Sequence, residues 1–225
     1  MGIDRPRLVI FDCDGTLTDS QSRIVTATCY AFQQEGFEEP SRKDICHQVG
    51  LPLMQMMYNL CQKDDMDLLQ RMTENYKKAV YEVKLPGTQM SPLFPDCRKT
   101  LAKLHDKGYF LGIATGMGRR GLERTVKDHG IDHLFTTLKS ADDGPGKPNP
   151  DILLDSMLEC GVDAGDTVMI GDTIYDIEAG VNAKAISIGV DWGYHAPEML
   201  LQAGSYKVIS SFNELPELLD EVFTR

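Results

Sequence analysis

The chain has 225 residues, 42% hydrophobic and 25% charged, enough for one large domain, or a domain with an insert, around a real core. A formal net charge of -11 argues against nucleic acid or an anionic membrane as principal partner. It does not exclude a small phosphate, because a cation and one lysine can invert the field locally. The opening Met1-Gly2-Ile3-Asp4-Arg5-Pro6 has no signal-peptide core, Pro6 stands where a myristoylation signal wants Ser or Thr, and no later run reaches the length of a membrane span. Cysteines 13, 29, 46, 61, 97 and 160 are scattered without Cys-x-x-Cys, and are expected to be reduced, mostly buried thiols of a cytoplasmic protein.

Leu8-Val9-Ile10-Phe11 is predicted to be a strand buried on both faces. It runs into Asp12-Cys13-Asp14-Gly15-Thr16. Alternation along an extended chain lets Asp12 and Asp14 point to one side, ~7 Å apart, with Cys13 opposite. Gly15 permits the turn, and Thr16, Thr18 or Ser20 can cap the element that follows. Two like charges held together suit a hard cation with oxygen ligands.

From Gln21 to Leu85 the pattern is helical. Ile24, Val25, Thr28, Ala31 and Phe32 share a face that Gly36 ends; further helices are expected at 44–49, 53–61 and 65–83. Met54, Met56 and Met57 pack within this block, which reads as a separate small domain returning through Pro86-Gly87. Strands and helices then alternate: helices at 96–107, 119–129, 151–160, 175–181 and 213–223, strands at 109–115, 134–138, 167–170, 185–190 and 206–210. Repeated strand–helix units predict a doubly wound parallel sheet.

Three more signals fall at strand ends, where open α/β sheets bind ligands. Thr115-Gly116 offers a hydroxyl and an amide beside a helix start, a small anion site. Lys147 stands on a stiff Gly146-Lys147-Pro148-Asn149-Pro150 loop, suited to neutralising a phosphate or a carboxylate. Gly171-Asp172 ends a strand and Asp176 follows four residues on; Asp172 can complete a metal site with Asp12, Asp14 and water.

In order and context these match the four motifs of the haloacid dehalogenase superfamily, beginning with Asp-x-Asp-Gly-Thr. The chain resembles its phosphoglycolate phosphatase-like group over essentially its whole length. The resemblance implies a three-layer, Rossmann-like α/β core at 1–20 and 86–225 with an inserted all-helical cap at 21–85. It implies Asp12 as nucleophile and Asp14 as general acid and base. Thr115 and Lys147 would meet the phosphoryl group, Asp172 would bind Mg²⁺, Asp14 would reach the metal through its backbone carbonyl, and Asp176 would support the metal or Lys147. The expected reaction is Mg²⁺-dependent hydrolysis of a small phosphorylated metabolite, phosphoglycolate-like or a sugar phosphate, through an aspartyl-phosphate. A sugar-phosphate mutase on the same core is the alternative, a non-enzymatic phosphoacceptor module the next. Oligomeric state, monomer or dimer, stays open.

Other patterns compete. Gly116-Met117-Gly118-Arg119-Arg120-Gly121 fits a dinucleotide fingerprint, with Asp142 and Asp143 about 20 residues on. It sits on an internal strand and leaves Asp12 and Asp14 unexplained. His129-x-x-x-His133 has metal spacing, but Gly130 interrupts the helix. Trp192, Tyr194 and His195 are placed to border the site, and Arg23, Arg42 and Lys43 are candidates for reading a substrate carboxylate.

Overall fold

Six parallel strands form one sheet in the computed structural model, which describes residues 5–83, 85–86 and 90–224. The first four residues and Gly87, half of the expected return turn, lie outside that range. The strands are β1 (Leu8–Phe11), β2 (Phe110–Ala114), β3 (Thr137–Lys139), β4 (Thr167–Gly171), β5 (Ile186–Val190) and β6 (Lys207–Ile209), in the order β3-β2-β1-β4-β5-β6. β1 is central: Phe11 aligns with Ile113 on one side and Ile170 on the other. Asp12 extends the ladder by one bond, its amide donating to the Ile170 carbonyl at 2.9 Å.

Alternation along the strands makes three layers. Val9, Phe11, Leu111 and Ile113 face one core with α5 (Cys97–Asp106), α6 (Arg119–Asp128) and α10 (Leu215–Val222). Leu8, Ile10 and Met169 face the other, against α7 (Asp151–Cys160) and α8 (Ile174–Asn182). β1 is therefore apolar at every position, as a strand covered on both faces must be.

Between β1 and α5 run α1 (Gln21–Gln34), α2 (Arg42–Gln48), α3 (Leu53–Cys61) and α4 (Met66–Tyr81). Their apolar faces build a third core of their own, with Ile45, Met57 and Met72 fully buried in it. Gly36 takes φ +74, the left-handed conformation that ends a helix. Ser41 and Asp65 cap α2 and α4, accepting from Asp44 and Leu68 amides.

Several elements differ from expectation. Ser20 stands at the N-cap of α1, but no side chain caps that helix: the hydroxyls of Thr16, Thr18 and Ser20 meet Asp172, the Cys13 carbonyl and Tyr194 respectively. The strand expected at 134–138 begins only at Thr137, because Asp132–Leu134 closes into a 3-10 turn that buries Leu134 in the first core. The helix expected from Asn213 starts as a 3-10 turn under a Ser211/Glu214 capping box. α9 (Pro197–Gln202) was not expected; six residues with Leu200 alone buried give no periodicity, and Pro197 at its first position was the available signal. All six cysteines carry free thiols. No helix among the described residues is long and apolar enough to cross a membrane.

Candidate active site

The sheet order changes direction between β1 and β4, so their carboxyl ends flank a crevice. Asp12 leaves β1 into it and Asp172 leaves β4. Their carboxylates lie with that of Asp176 in one buried cluster, oxygens within 4.8 Å of one another.

Lys147 enters this cluster almost fully buried, its Nζ 2.8 Å from Asp12 Oδ1, donating to the Ala114 carbonyl at 3.0 Å and paired with Asp176. Burial works against its charge, but Asp12 and Asp176 outweigh it and keep the ammonium protonated above its ordinary range. Asp12 is pushed up to about 7, first by burial and then by Asp176, with Lys147 pulling the other way. Asp172 is also raised well above the usual carboxylate range by burial and by both neighbouring acids, against the hydrogen bonds from Thr16 and the Tyr194 amide.

Asp172 is fixed tightly. Thr16 donates to Oδ1 at 2.7 Å and the Tyr194 amide to Oδ2 at 2.9 Å. Gly15, at φ +92, and Gly193 leave the room for it: a Cβ on either would fall within 2.4 Å of the Asp172 side chain. Asp176 is equally committed. It closes a capping box on α8, its Oδ2 accepting from the Thr173 amide at 2.9 Å and hydroxyl at 2.7 Å, while Oδ1 meets Lys147. Asp176 thus pairs with Lys147 and also belongs to the acidic cluster with Asp12 and Asp172.

Asp14 stands apart from this cluster, its Oδ1 paired at 3.1 Å with Arg23 of α1. Thr115 is buried and its hydroxyl accepts from the Met117 amide at 3.2 Å. Gly116 lies against the α2–α3 turn, where a Cβ would come 3.3 Å from the carbonyls of Gly50 and Leu51. Asp12, Asp14, Thr115 and Gly116 open together on a cavity of about 530 Å³ roofed by α1, α3 and α4.

A hard cation fits these residues. Three clustered carboxylates face one ammonium, and Asp12 Oδ1, buried, receives no well-directed hydrogen bond despite its ion pair. Carboxylate oxygens of this kind are the donor set of Mg²⁺.

The competing patterns do not form the sites they suggest. The glycine fingerprint follows β2, one strand away from the crevice, and its two acids serve α6: Asp142 accepts from the Arg119 amide at 2.7 Å and Asp143 pairs with the Arg119 guanidinium at 2.6 Å. His129 is buried with Nε2 2.9 Å from the Ser91 carbonyl, whereas His133 is exposed, so the two do not converge. Arg42 and Lys43 are exposed and do not line the cavity; Arg23 does, but on Asp14. Trp192 donates to the Thr16 carbonyl at 3.1 Å and His195 accepts from the Ile174 amide at 3.1 Å, so both brace the loops around the acids. Sequence reasoning missed Thr16 and Gly193 as supports of Asp172, and Thr73, Tyr76 and Ser91 as cavity wall. The Gly-Thr after Asp14 was the one available signal.

Comparison with known proteins agrees with this geometry. Residues 9–190 match the haloacid dehalogenase-like hydrolase family. The "Probable phosphatase IndB" of Dickeya dadantii is 30% identical over 92% of this chain and 91% of its own. A phosphoglycolate phosphatase of Aliivibrio fischeri is 28% identical over 95% of this chain and 96% of its own. The crystal structure of a hydrolase from Pseudomonas syringae superposes with a TM-score of 0.84 at 26% identity, covering 96% of this chain and 98% of the other. With paired acids at the β1 end, a lysine on its loop and a third acid at the β4 end, the chain belongs to the haloacid dehalogenase-like hydrolase family, and is an enzyme similar to its phosphoglycolate phosphatases.

Proposed function

We propose that the chain hydrolyses a small phosphate monoester in two steps, with Asp12 as nucleophile, and that it requires Mg²⁺. One observation carries the reading: Asp12 and Asp14 open on the same cavity with opposite partners, Asp12 on a buried ammonium and Asp14 on a guanidinium from the roof. Asp12 and Asp172, with the Asp14 carbonyl, would hold Mg²⁺. When bound, the ion supplies neutralisation of the phosphoryl oxygens and of the acids around them.

Lys147 holds Asp12 in place and offsets its charge, so that an anionic ester can approach. An oxygen of Asp12 attacks phosphorus while the ester P–O bond breaks opposite to it, and the Asp14 carboxyl gives its proton to the departing oxygen. Water then attacks the phosphorus of the aspartyl-phosphate, Asp14 takes its proton, and the bond to Asp12 breaks to free phosphate and restore both acids. The Thr115 hydroxyl and Gly116 amide orient the phosphoryl oxygens. Helices α1–α4, residues 21–85, serve as a cap over the core of 1–20 and 86–225, screening water and shaping the leaving-group space.

The test is rapid acid quench with peptide mass analysis, using an aryl phosphate. Asp12→Asn should never acquire phosphate. Asp14→Ala should accumulate one phosphoryl group on the peptide containing Asp12, because an aryl leaving group departs with little protonation while the second step still needs a base. A wild type that hydrolyses the ester with neither variant ever labelled would make water the nucleophile and Asp12 a ligand.

A further inference from the structure

The loop after β5, residues 191–196, runs between the acids and the helical block. Two successive amides in it hold Asp172: that of Tyr194 donates to Oδ2 at 2.9 Å and that of His195 to the main-chain carbonyl at 3.2 Å. Both side chains reach the block. The Tyr194 ring packs against the core closed by α1–α4, and its hydroxyl lies 2.9 Å from that of Ser20, the residue before α1. The His195 imidazole stacks on His47 of α2, ring centroids 5.1 Å apart. One edge of the tyrosine ring also lies over Gly15, where a Cβ would come 2.4 Å from Cε2.

A loop serving only the sheet would bury its rings in a core beside the sheet, as Trp192 does. Tyr194, two residues on, packs instead on the third core, which is made of helices from the other segment of the chain. An acid held by loop amides is only as well placed as the loop. With the block seated, the Tyr194 ring is enclosed and its amide is aimed at Asp172. With the block displaced, the ring loses its apolar neighbours and the amide its alignment. Linkage makes the effect mutual: whatever seating the block does for a cation at Asp172, the cation does for seating the block.

We propose that Tyr194 is a positioning residue that couples the seating of helices α1–α4 to the affinity of Asp172 for its cation. This rests on the Mg²⁺-dependent phosphatase reading above and adds to it: the ion would hold the cap down as well as serve the chemistry.

The experiment uses the full chain at pH 8 and reads Mg²⁺ binding in two ways apart from turnover. One is the apparent Mg²⁺ dissociation constant from the rise in melting temperature, the other amide hydrogen exchange with and without saturating Mg²⁺. Tyr194→Ala should raise that constant roughly 10- to 100-fold, as losing the support behind a metal ligand does. Tyr194→Phe keeps the ring and drops only the Ser20 contact, and should stay within about tenfold of wild type. In wild type Mg²⁺ should slow exchange in α1 and α2, neither of which contains a proposed ligand; in Tyr194→Ala it should not. A role in packing alone would lower the melting temperature of Tyr194→Ala and leave its Mg²⁺ constant in place. That result, or wild-type exchange in α1 and α2 unmoved by Mg²⁺, overturns the inference. Wild type that gains no stability from Mg²⁺ and hydrolyses no 4-nitrophenyl phosphate, a generic ester, overturns the phosphatase reading itself.

Discussion

A methyl group on Gly193 would lie 2.2 Å from the Cβ of Asp172, closer than side chains come, and Asp172 is pinned by Thr16 and the Tyr194 amide. Gly193→Ala should therefore displace Asp172 and lower kcat by roughly 10²-fold, the cost of about 1 Å of misplacement, with the melting temperature little changed. Loss of folding instead of activity would show that Gly193 serves the chain and not the acid. Charge gives a second expectation. Asp12 titrates near 7 in the fold and Asp172 above the usual carboxylate range. A carboxyl whose pKa rises on folding binds more protons folded than unfolded, so cation-free protein should lose stability as pH climbs from about 4 to about 7. A cation needs those protons gone, so its binding must strengthen over the same range. Mg²⁺ should thus raise the melting temperature more at pH 8 than at pH 6, and equal shifts at both would count against Asp12 and Asp172 as ligands. Asp12, Asp14 and Asp172 were legible because each follows an apolar strand. Gly193 was not, since its importance comes from a neighbour 21 residues away that only folding brings close.

At the scale of elements, α8 couples structure to chemistry through its first turn. Thr173 caps it and in doing so orients Asp176 toward Lys147. Thr173→Ala should cost about 0.5–2 kcal/mol in urea denaturation, as lost caps do, and should also lower activity by freeing Asp176. Thr173→Ser, which keeps the hydroxyl, should restore both; activity unmoved by the alanine would separate Asp176 from the site. Long elements were readable from the residues: α3 and α7 fall where periodicity put them, and β1 is the apolar run that begins the reading. The short ones were not. β3, α9 and the 3-10 turns at Asp132–Leu134 and Phe212–Glu214 bury one side chain each, too few to print a period, and tertiary contacts decide them.

For the molecule as a whole, alternating strand and helix signals foretold a parallel sheet, but no residue announced its strand order. That order is shared with dinucleotide-binding folds, so position relative to the crevice, and not the glycine pattern, separates the two. The third core, closed around Met57 and Met72, shares no residue with the two beside the sheet. Replacing residues 21–85 by a short linker should accordingly leave a cooperatively unfolding sheet domain with weak activity on 4-nitrophenyl phosphate and little choice among metabolites; a product that cannot fold would make those helices an integral layer. The sheet's two borders carry a different consequence. β3 and β6 are three residues long, and each bears a lysine, Lys139 and Lys207. A strand from a second molecule would find only about 10 Å of ladder there, with an ammonium in it. Growth of the sheet from one molecule to the next is opposed at both ends, and crowding at high concentration should not seed fibres.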